Sequence, residues 1–305
     1  MENKEIVKRI PLSVVLCAYN AEKYIGQTIE SVLSQTFKDF EFIVWNDGST
    51  DNTKDVILKY NDPRIVYFED SNKGEGEAAR LACMKAQGIY IARIDADDIC
   101  MPQRLELEYR FLESHQDYVL VSSAFSYIDS EGNYIGRAFP ITCSRVLRKL
   151  IMKNNYFVHS GSMYRAEAYR KVGGYKNVRL FQDHLLFRNL SAIGKIAILE
   201  DVLIKYRVLG NSVAHVIENS PYKQILCDLE NKILLEKGER LDDILLFNQL
   251  YGLARKNTMI DSSNVCIMKD LQNQFYNLIA RVLGKKISAK IIVGFKNVVV
   301  SFRQV

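Results

Sequence analysis

The sequence predicts an α/β protein: a mostly parallel central sheet flanked by helices on both faces. Three observations lead there. Short apolar runs, continuous rather than alternating, are bounded by turn residues, as strands buried on both faces are. Apolar residues recur at helical spacing between those runs. Polar clusters fall just after the strands, where an open parallel sheet gathers its ligands.

"LSVVLC" at 12–17 is the first buried strand, and Ile25, Ile29, Val32 and Leu33 form one helical stripe after it. "FEFIVW" at 40–45 is the second strand; "DGSTDNT" then supplies a turn and caps for a helix carrying Val56, Ile57 and Tyr60. "RIVYFE" at 64–69, a helix over about 75–87 and "IYIARI" at 89–94 repeat the unit. Pro102 opens the next helix at its first turn, with Leu105, Leu107 or Tyr109, Phe111 and Leu112 as its buried positions, before the strand "YVLVSS" at 118–123. From 124 to 215 strands and helices mix less regularly, and from about 217 the chain reads as helices. The expected division is a first unit over 1–216 and a helical C-terminal region over 217–305.

A hydrophobic content of 48% over 305 residues is ample for a packed core. The net charge of +5 is too mild to announce nucleic-acid binding, and none is expected; it suits an anionic substrate. Six cysteines, Cys17, Cys83, Cys100, Cys143, Cys227 and Cys266, show no close pairing, so they read as free thiols in a reducing compartment. The apolar "LSVVLCAY" near the start lacks the flanks of a signal peptide, and no apolar run is long enough for a transmembrane helix. A cytoplasmic location is expected.

"YIARIDADDICMP" at 90–102 carries three carboxylates, Asp95, Asp97 and Asp98, directly after an apolar run. Like charges this close repel unless a cation answers them. An Asp-x-Asp at a strand end can face magnesium or manganese, whose other ligands would be water and phosphate oxygens. Taken alone, such a loop also reads as solvated surface.

The longer pattern narrows this. "VVLCAYNAEKYIGQTIESVLSQTFKDFEFIVWNDGSTDNT" and then "NKGEGEAARLACMKAQGIYIARIDADDICMPQRLE" resemble the nucleotide-sugar-binding half of inverting family-2 glycosyltransferases of GT-A fold, in order and spacing over about residues 11–215. The resemblance implies a nucleotide-binding half over about 11–123 and an acceptor half over about 124–216. It further implies that Ala18, Tyr19 and Asn20 contact the nucleotide and that Asp47 binds the base, typically uracil, which favours a UDP-sugar donor. Asp95, Ala96 and Asp97 would line the same site, Asp95 facing ribose or metal and Asp97 ligating Mn2+ or Mg2+ on the diphosphate. Plainer readings stand beside these: Tyr19 as a half-buried strand-end aromatic, Asp47 as a turn residue, Asp98 as the cap of the helix after Ile99.

In the family the acceptor proton goes to the Asp of an acidic-or-amide/Asp pair before a helix, and "LFQDHLLFRNLSAIG" matches it at Gln182 and Asp183. Asp183 is therefore the implied catalytic base, with a helix N-cap as its structural alternative. "FVHSGSMYRAEAYRKVGGY" at 157–175 resembles the segment beneath the donor sugar, giving His159 and Gln182 secondary roles at donor or acceptor. Arg165 there reads either as the family's basic residue or as a surface ion pair. "YRVLGNSVAH" at 206–215 resembles a Tyr-Arg loop over the diphosphate, with Arg207 as the phosphate contact. The implied activity is single-displacement transfer to a glycan or lipid-linked acceptor in surface polysaccharide synthesis.

The chain also departs from the family. Leu209 stands where relatives commonly carry His, which His215 would have to replace; Arg80 stands at a usual Asn; and "GEGEA" places Glu75 and Glu77 at usually small positions. Basic residues from Arg281 to Arg303 alternate with apolar ones, a pattern suited either to peripheral contact with the inner face of the plasma membrane or to packing on the core. Two competing functions remain. A sugar-phosphate nucleotidyltransferase should show a Gly-rich basic loop after the first strand, which "CAYNAEKY" lacks; an inactive nucleotide-sugar-binding protein would bind donor and never transfer it.

Overall fold

The computed structural model describes residues 10–152, 155–176 and 181–209. Its strands are β1 (Leu12–Ala18), β2 (Phe40–Asn46), β3 (Ile65–Glu69), β4 (Tyr90–Asp95), β5 (Ile99–Cys100), β6 (Tyr118–Ile128), β7 (Tyr134–Arg137), β8 (Met163–Arg165) and β9 (Lys195–Arg207). The helices are α1 (Ile25–Leu33), α2 (Thr53–Ile57), α3 (Glu75–Lys85), α4 (Arg104–Ser114), α5 (Ser144–Leu150), α6 (Ala166–Lys171) and α7 (Gln182–Ile193). The C-terminal helices expected over 217–305, their basic end and His215 lie outside the described residues. Among the described residues no helix is long and apolar enough to cross a membrane.

One sheet runs in the order β3-β2-β1-β4-β8-β6-β9-β5, with β7 on β6. β1 pairs parallel with β2 and β4, β2 with β3, and β6 with β9. β8 sits antiparallel between β4 and β6 and joins the halves. The strands carry apolar residues on both faces because helices cover both. On one face the small residues Ala78, Ala79 and Ala82 bring α3 close to the sheet beside Leu186, Phe187 and Leu190 of α7. On the other, Ile25, Ile29 and Val32 of α1 and Leu105 and Leu112 of α4 meet Leu12, Val14 and Leu16. Truncating one of these fully buried side chains to Ala would cost about 2–5 kcal/mol.

Two expectations about α4 are corrected. Pro102 precedes the helix, and the N-cap position falls on Gln103. The helix is opened from elsewhere: Gln35 Oε1 accepts the Leu105 N–H at 3.0 Å while its Nε2 donates to the Met101 carbonyl at 2.8 Å. Its buried face also holds a charge pair, Arg104 and Glu108 at 3.2 Å, both fully buried. Burial, opposed by Arg104, pushes the Glu108 carboxyl up to about 7. Asp98 is the second correction: it caps no helix, because β5 intervenes, and its Oδ1 accepts the Arg207 N–H at 2.7 Å.

Candidate active site

The sheet register sets three loops side by side. Ala18 lies opposite Asn46 and Cys17 opposite Asp95, so β1, β2 and β4 end level. The loops after β1 and β2 are laced together. Asn20, in the left-handed region at φ 50°, accepts the Thr50 N–H on Oδ1 at 2.8 Å, and its own N–H reaches Ser49 Oγ at 3.0 Å. Ala21 N–H meets Thr53 Oγ1 at 2.8 Å. Asn20, expected at the nucleotide, thus spends its carboxamide oxygen on the neighbouring loop, whereas Tyr19 beside it is 49% exposed.

Asp47 is buried and clasps the segment before α3, its two oxygens accepting the N–H groups of Lys73 and Gly74 at 2.9 Å each. Gly74 at φ 88° and Gly48 at φ 68° permit this approach; a Cβ on Gly48 would lie 2.6 Å from the Asn72 nitrogen. The clasp presents the first turn of α3, and Glu75 with it, to the cleft.

At the end of β4 the acidic residues part company. Asp95 Oδ1 meets Arg93 Nη2 at 3.3 Å and His159 Nδ1 at 3.4 Å, and its N–H donates to Ser160 Oγ at 3.0 Å. Burial works against the Asp95 charge, but His159 and Arg93 reverse that and hold the carboxyl at about 2. Among the described residues Asp97 receives no such answer: burial and the Asp95 charge push it up to about 6. Asp98, buried between Asp97 and the strand end, is held well above the usual carboxylate range by burial and both neighbouring Asp charges. Ala96 contributes its carbonyl, which accepts from Thr28 Oγ1 at 3.0 Å.

His159 is buried, with Nε2 2.8 Å from Tyr175 Oη and 3.3 Å from Arg93 Nε. Burial opposes its charge, yet Asp95 overcomes this and raises it to about 9. Arg93 beneath it is fully buried and also donates to the Val15 carbonyl at 3.0 Å. Across the cleft, Asp183 lies in the first turn of α7, whose N-cap position is Phe181; its Oδ2 accepts from Asn155 Nδ2 at 2.7 Å. Burial raises its carboxyl, moderated by His159. Gln182 is buried, and its Oε1 has no hydrogen-bond partner among the described residues. Phe181 before it takes φ 47°, an uncommon angle for a bulky residue that places backbone strain beside the Asp183 turn.

Arg207 departs from the expected phosphate contact. It is buried, and its guanidinium donates to the carbonyls of Asp97 at 2.8 Å, Asp129 at 3.1 Å and Ser130 at 3.2 Å, and to Gln27 Oε1 at 3.0 Å. The Tyr24 ring stacks 4.5 Å away. With four of about five N–H donors spent, it braces the acidic loop instead of reaching out. Arg165 likewise ties Tyr118, Tyr90 and Leu112 together, and pairs with no acid among the described residues. Arg80 pairs with Glu77 at 2.7 Å.

A hard divalent cation fits the Asp97 side of this cleft. Among the described residues no side-chain donor answers the Asp97 carboxylate, since Arg207 touches only its backbone carbonyl. Glu75, Asp95 and His159 also bring one ligand atom each within 4.8 Å of one another, but an ion there would compete with the cations that already hold Asp95. Sequence reasoning passed over three members of this site: Arg93, Asn155 and, as a site residue, Glu75. An arginine inside an apolar strand, two residues before Asp95, was the available signal for the first.

The profile described as "Glycosyl transferase family 2" matches residues 13–173. An uncharacterized glycosyltransferase of Methanocaldococcus jannaschii is 33% identical over 204 residues, covering 65% of this chain and 70% of that protein. The chondroitin synthase of Escherichia coli is 30% identical over 243 residues, 77% of this chain, which spans only 34% of that enzyme. Among solved structures, S. aureus TarS 1–349 in complex with UDP-GlcNAc superposes with a TM-score of 0.60 at 18% identity, covering 89% of this chain and 80% of that one, a likeness of fold.

Proposed function

The chain belongs to glycosyl transferase family 2 and has its GT-A type of fold, and from that premise we propose that it transfers a sugar from a nucleotide-diphosphate donor, with UDP favoured, to a glycan or lipid-linked acceptor of a surface polysaccharide. One observation carries the reading: Asp97, just after β4, and Asp183, in the first turn of α7, are two carboxylates for which the described residues supply no direct cationic partner, Asp97 being touched by Arg207 only at its backbone carbonyl and Asp183 by the neutral Asn155. The nucleotide would lie over the loops of Ala18, Tyr19 and Asp47. Asp97 would hold Mn2+ or Mg2+, with Asp95, locked by Arg93 and His159, turned to the ribose. The ion when bound supplies stabilisation of the negative charge that gathers on the leaving diphosphate.

Asp183 takes the acceptor proton as the hydroxyl oxygen bonds to the anomeric carbon; the bond from that carbon to the diphosphate oxygen breaks, and its electron pair leaves with the nucleotide. Burial raises the Asp183 carboxyl, making it a stronger base than an exposed Asp once ionised. Asn155 positions it. The test is a thermal-shift screen of nucleotide sugars with and without Mn2+, followed by transfer assays. Metal-dependent stabilisation by one donor and its loss in Asp97→Asn support the reading; donor binding unaffected by Asp97→Asn refutes the role of Asp97.

A further inference from the structure

We propose that Asn155 holds Asp183 as a charged base, because its carboxamide is locked in the one orientation that donates to a carboxylate and cannot accept from a carboxylic acid. The inference rests on Asp183 being the base and adds the residue that governs its proton. Asn155 Nδ2 donates to Asp183 Oδ2 at 2.7 Å, and Asn155 Oδ1 accepts the Phe157 N–H at 3.0 Å. The backbone amide of Phe157 can only donate, so it must face the carboxamide oxygen. A flipped carboxamide would set N–H against N–H at Phe157 and oxygen against oxygen at an ionised Asp183. Protonating Asp183 would remove the second conflict, but the Phe157 N–H would still oppose the flip.

Packing fixes the lock in place. Ile151 and Phe157, on either side of Asn155, are each held to α7: His184 Nε2 lies 2.7 Å from the Ile151 carbonyl, and the Phe157 and Phe187 ring centroids are 5.5 Å apart. Among the described residues Asn155 is the only side chain that donates to Asp183. Other groups also act on its charge. His159 and His184 favour it, the latter also through its backbone N–H, whereas burial and Glu75 from α3 oppose it. A donor at 2.7 Å from an ionised oxygen favours the charged form, so Asn155 works against the burial that raises this carboxyl. With Oδ2 so occupied, Oδ1 is left to take the acceptor proton.

A carboxyl titration followed by NMR tests this on the full chain, labelled with carbon-13 at the aspartate side-chain carboxyls, with Asp183→Asn identifying the Asp183 signal. Asn155→Ala removes the donor. Asn155→Asp keeps an oxygen for the Phe157 N–H but turns a second carboxylate on Asp183. The Asp183 signal should titrate about one pH unit higher in Asn155→Ala, an about ten-fold tighter hold on the proton, and higher again in Asn155→Asp. The acid limb of sugar transfer should move with it. A purely structural role would leave Asp183 titrating as in the wild type in whichever variants stay folded, and that result overturns the proposal. The two failures separate: an unmoved titration leaves Asp183 standing as the base, whereas full transfer by Asp183→Asn removes the base and with it any part for Asn155.

Discussion

Arg207 Nε donates to the carbonyl of Asp97 at 2.8 Å, and the Arg207 N–H donates to Asp98 Oδ1 at 2.7 Å, so one residue at the end of β9 holds two of the three acidic positions. This makes Arg207 a brace for the acidic loop. Arg207→Ala should cost about 3 kcal/mol or more, because several buried carbonyls lose their donors together. Arg207→Lys, keeping the charge but not the fork, should recover only part. Thermal denaturation checks this: a Tm equal to wild type with a weakened donor KM would instead restore the phosphate contact.

The Asp47 clasp makes a separate claim. Asp47→Ala frees two backbone amides and leaves a hole at the β2 end, at a cost of about 2 kcal/mol. Hydrogen exchange should report the loss as faster exchange at Lys73 and Gly74. Exchange as slow as in the wild type would remove Asp47 from its holding role.

Asp97 gives a pH-dependent outcome. Its folded carboxyl sits at about 6 against an ordinary 3.8, so the folded state binds more protons between those values. Stability from this group is full below the lower value and is lost as pH rises through the upper one. The side chain is half-buried, so the cost at neutral pH is discounted to about 1–2 kcal/mol. Asp97→Asn should therefore raise the Tm of the metal-free protein near pH 7.5, match wild type near pH 4, and gain nothing from added Mn2+. A lower Tm at neutral pH would contradict the unanswered charge.

Asp183→Asn should lower transfer by about 100- to 10,000-fold, the range for loss of a general base, with donor binding retained. Because burial raises the Asp183 carboxyl, wild-type transfer should fall on acidification at a pH above the ordinary Asp range, as the base becomes protonated. Stopped assays across pH measure this limb. Full activity in the variant would dismiss Asp183 as the base.

Much of the frame was legible in the chain. The apolar runs at β1, β2, β3 and β4 and the helical stripes of α1 and α3 fall where periodicity placed them. Local pattern failed where partners came from far away. Pro102 looked like a helix start, but Gln35 supplies the bonds at that end of α4. Asp98 looked like a cap, but a strand more than a hundred residues later takes it. Arg207 looked like a ligand contact because its sequence neighbourhood says nothing about four acceptors waiting around it.

By itself, then, the sequence determined the α/β class, the strand ends at which polar residues would gather, and the family pattern carried by "NDGSTD" and "DADD". These depend on local spacing, which reads directly from residue order. Only the tertiary structure decided what each polar group does: that Asp95 is answered by Arg93 and His159, that Asp97 has no such partner among the described residues, and that Glu75 comes within 3.6 Å of His159. Charge and protonation depend on burial and on neighbours brought together across the sheet, and neither is written in the spacing of residues along the chain.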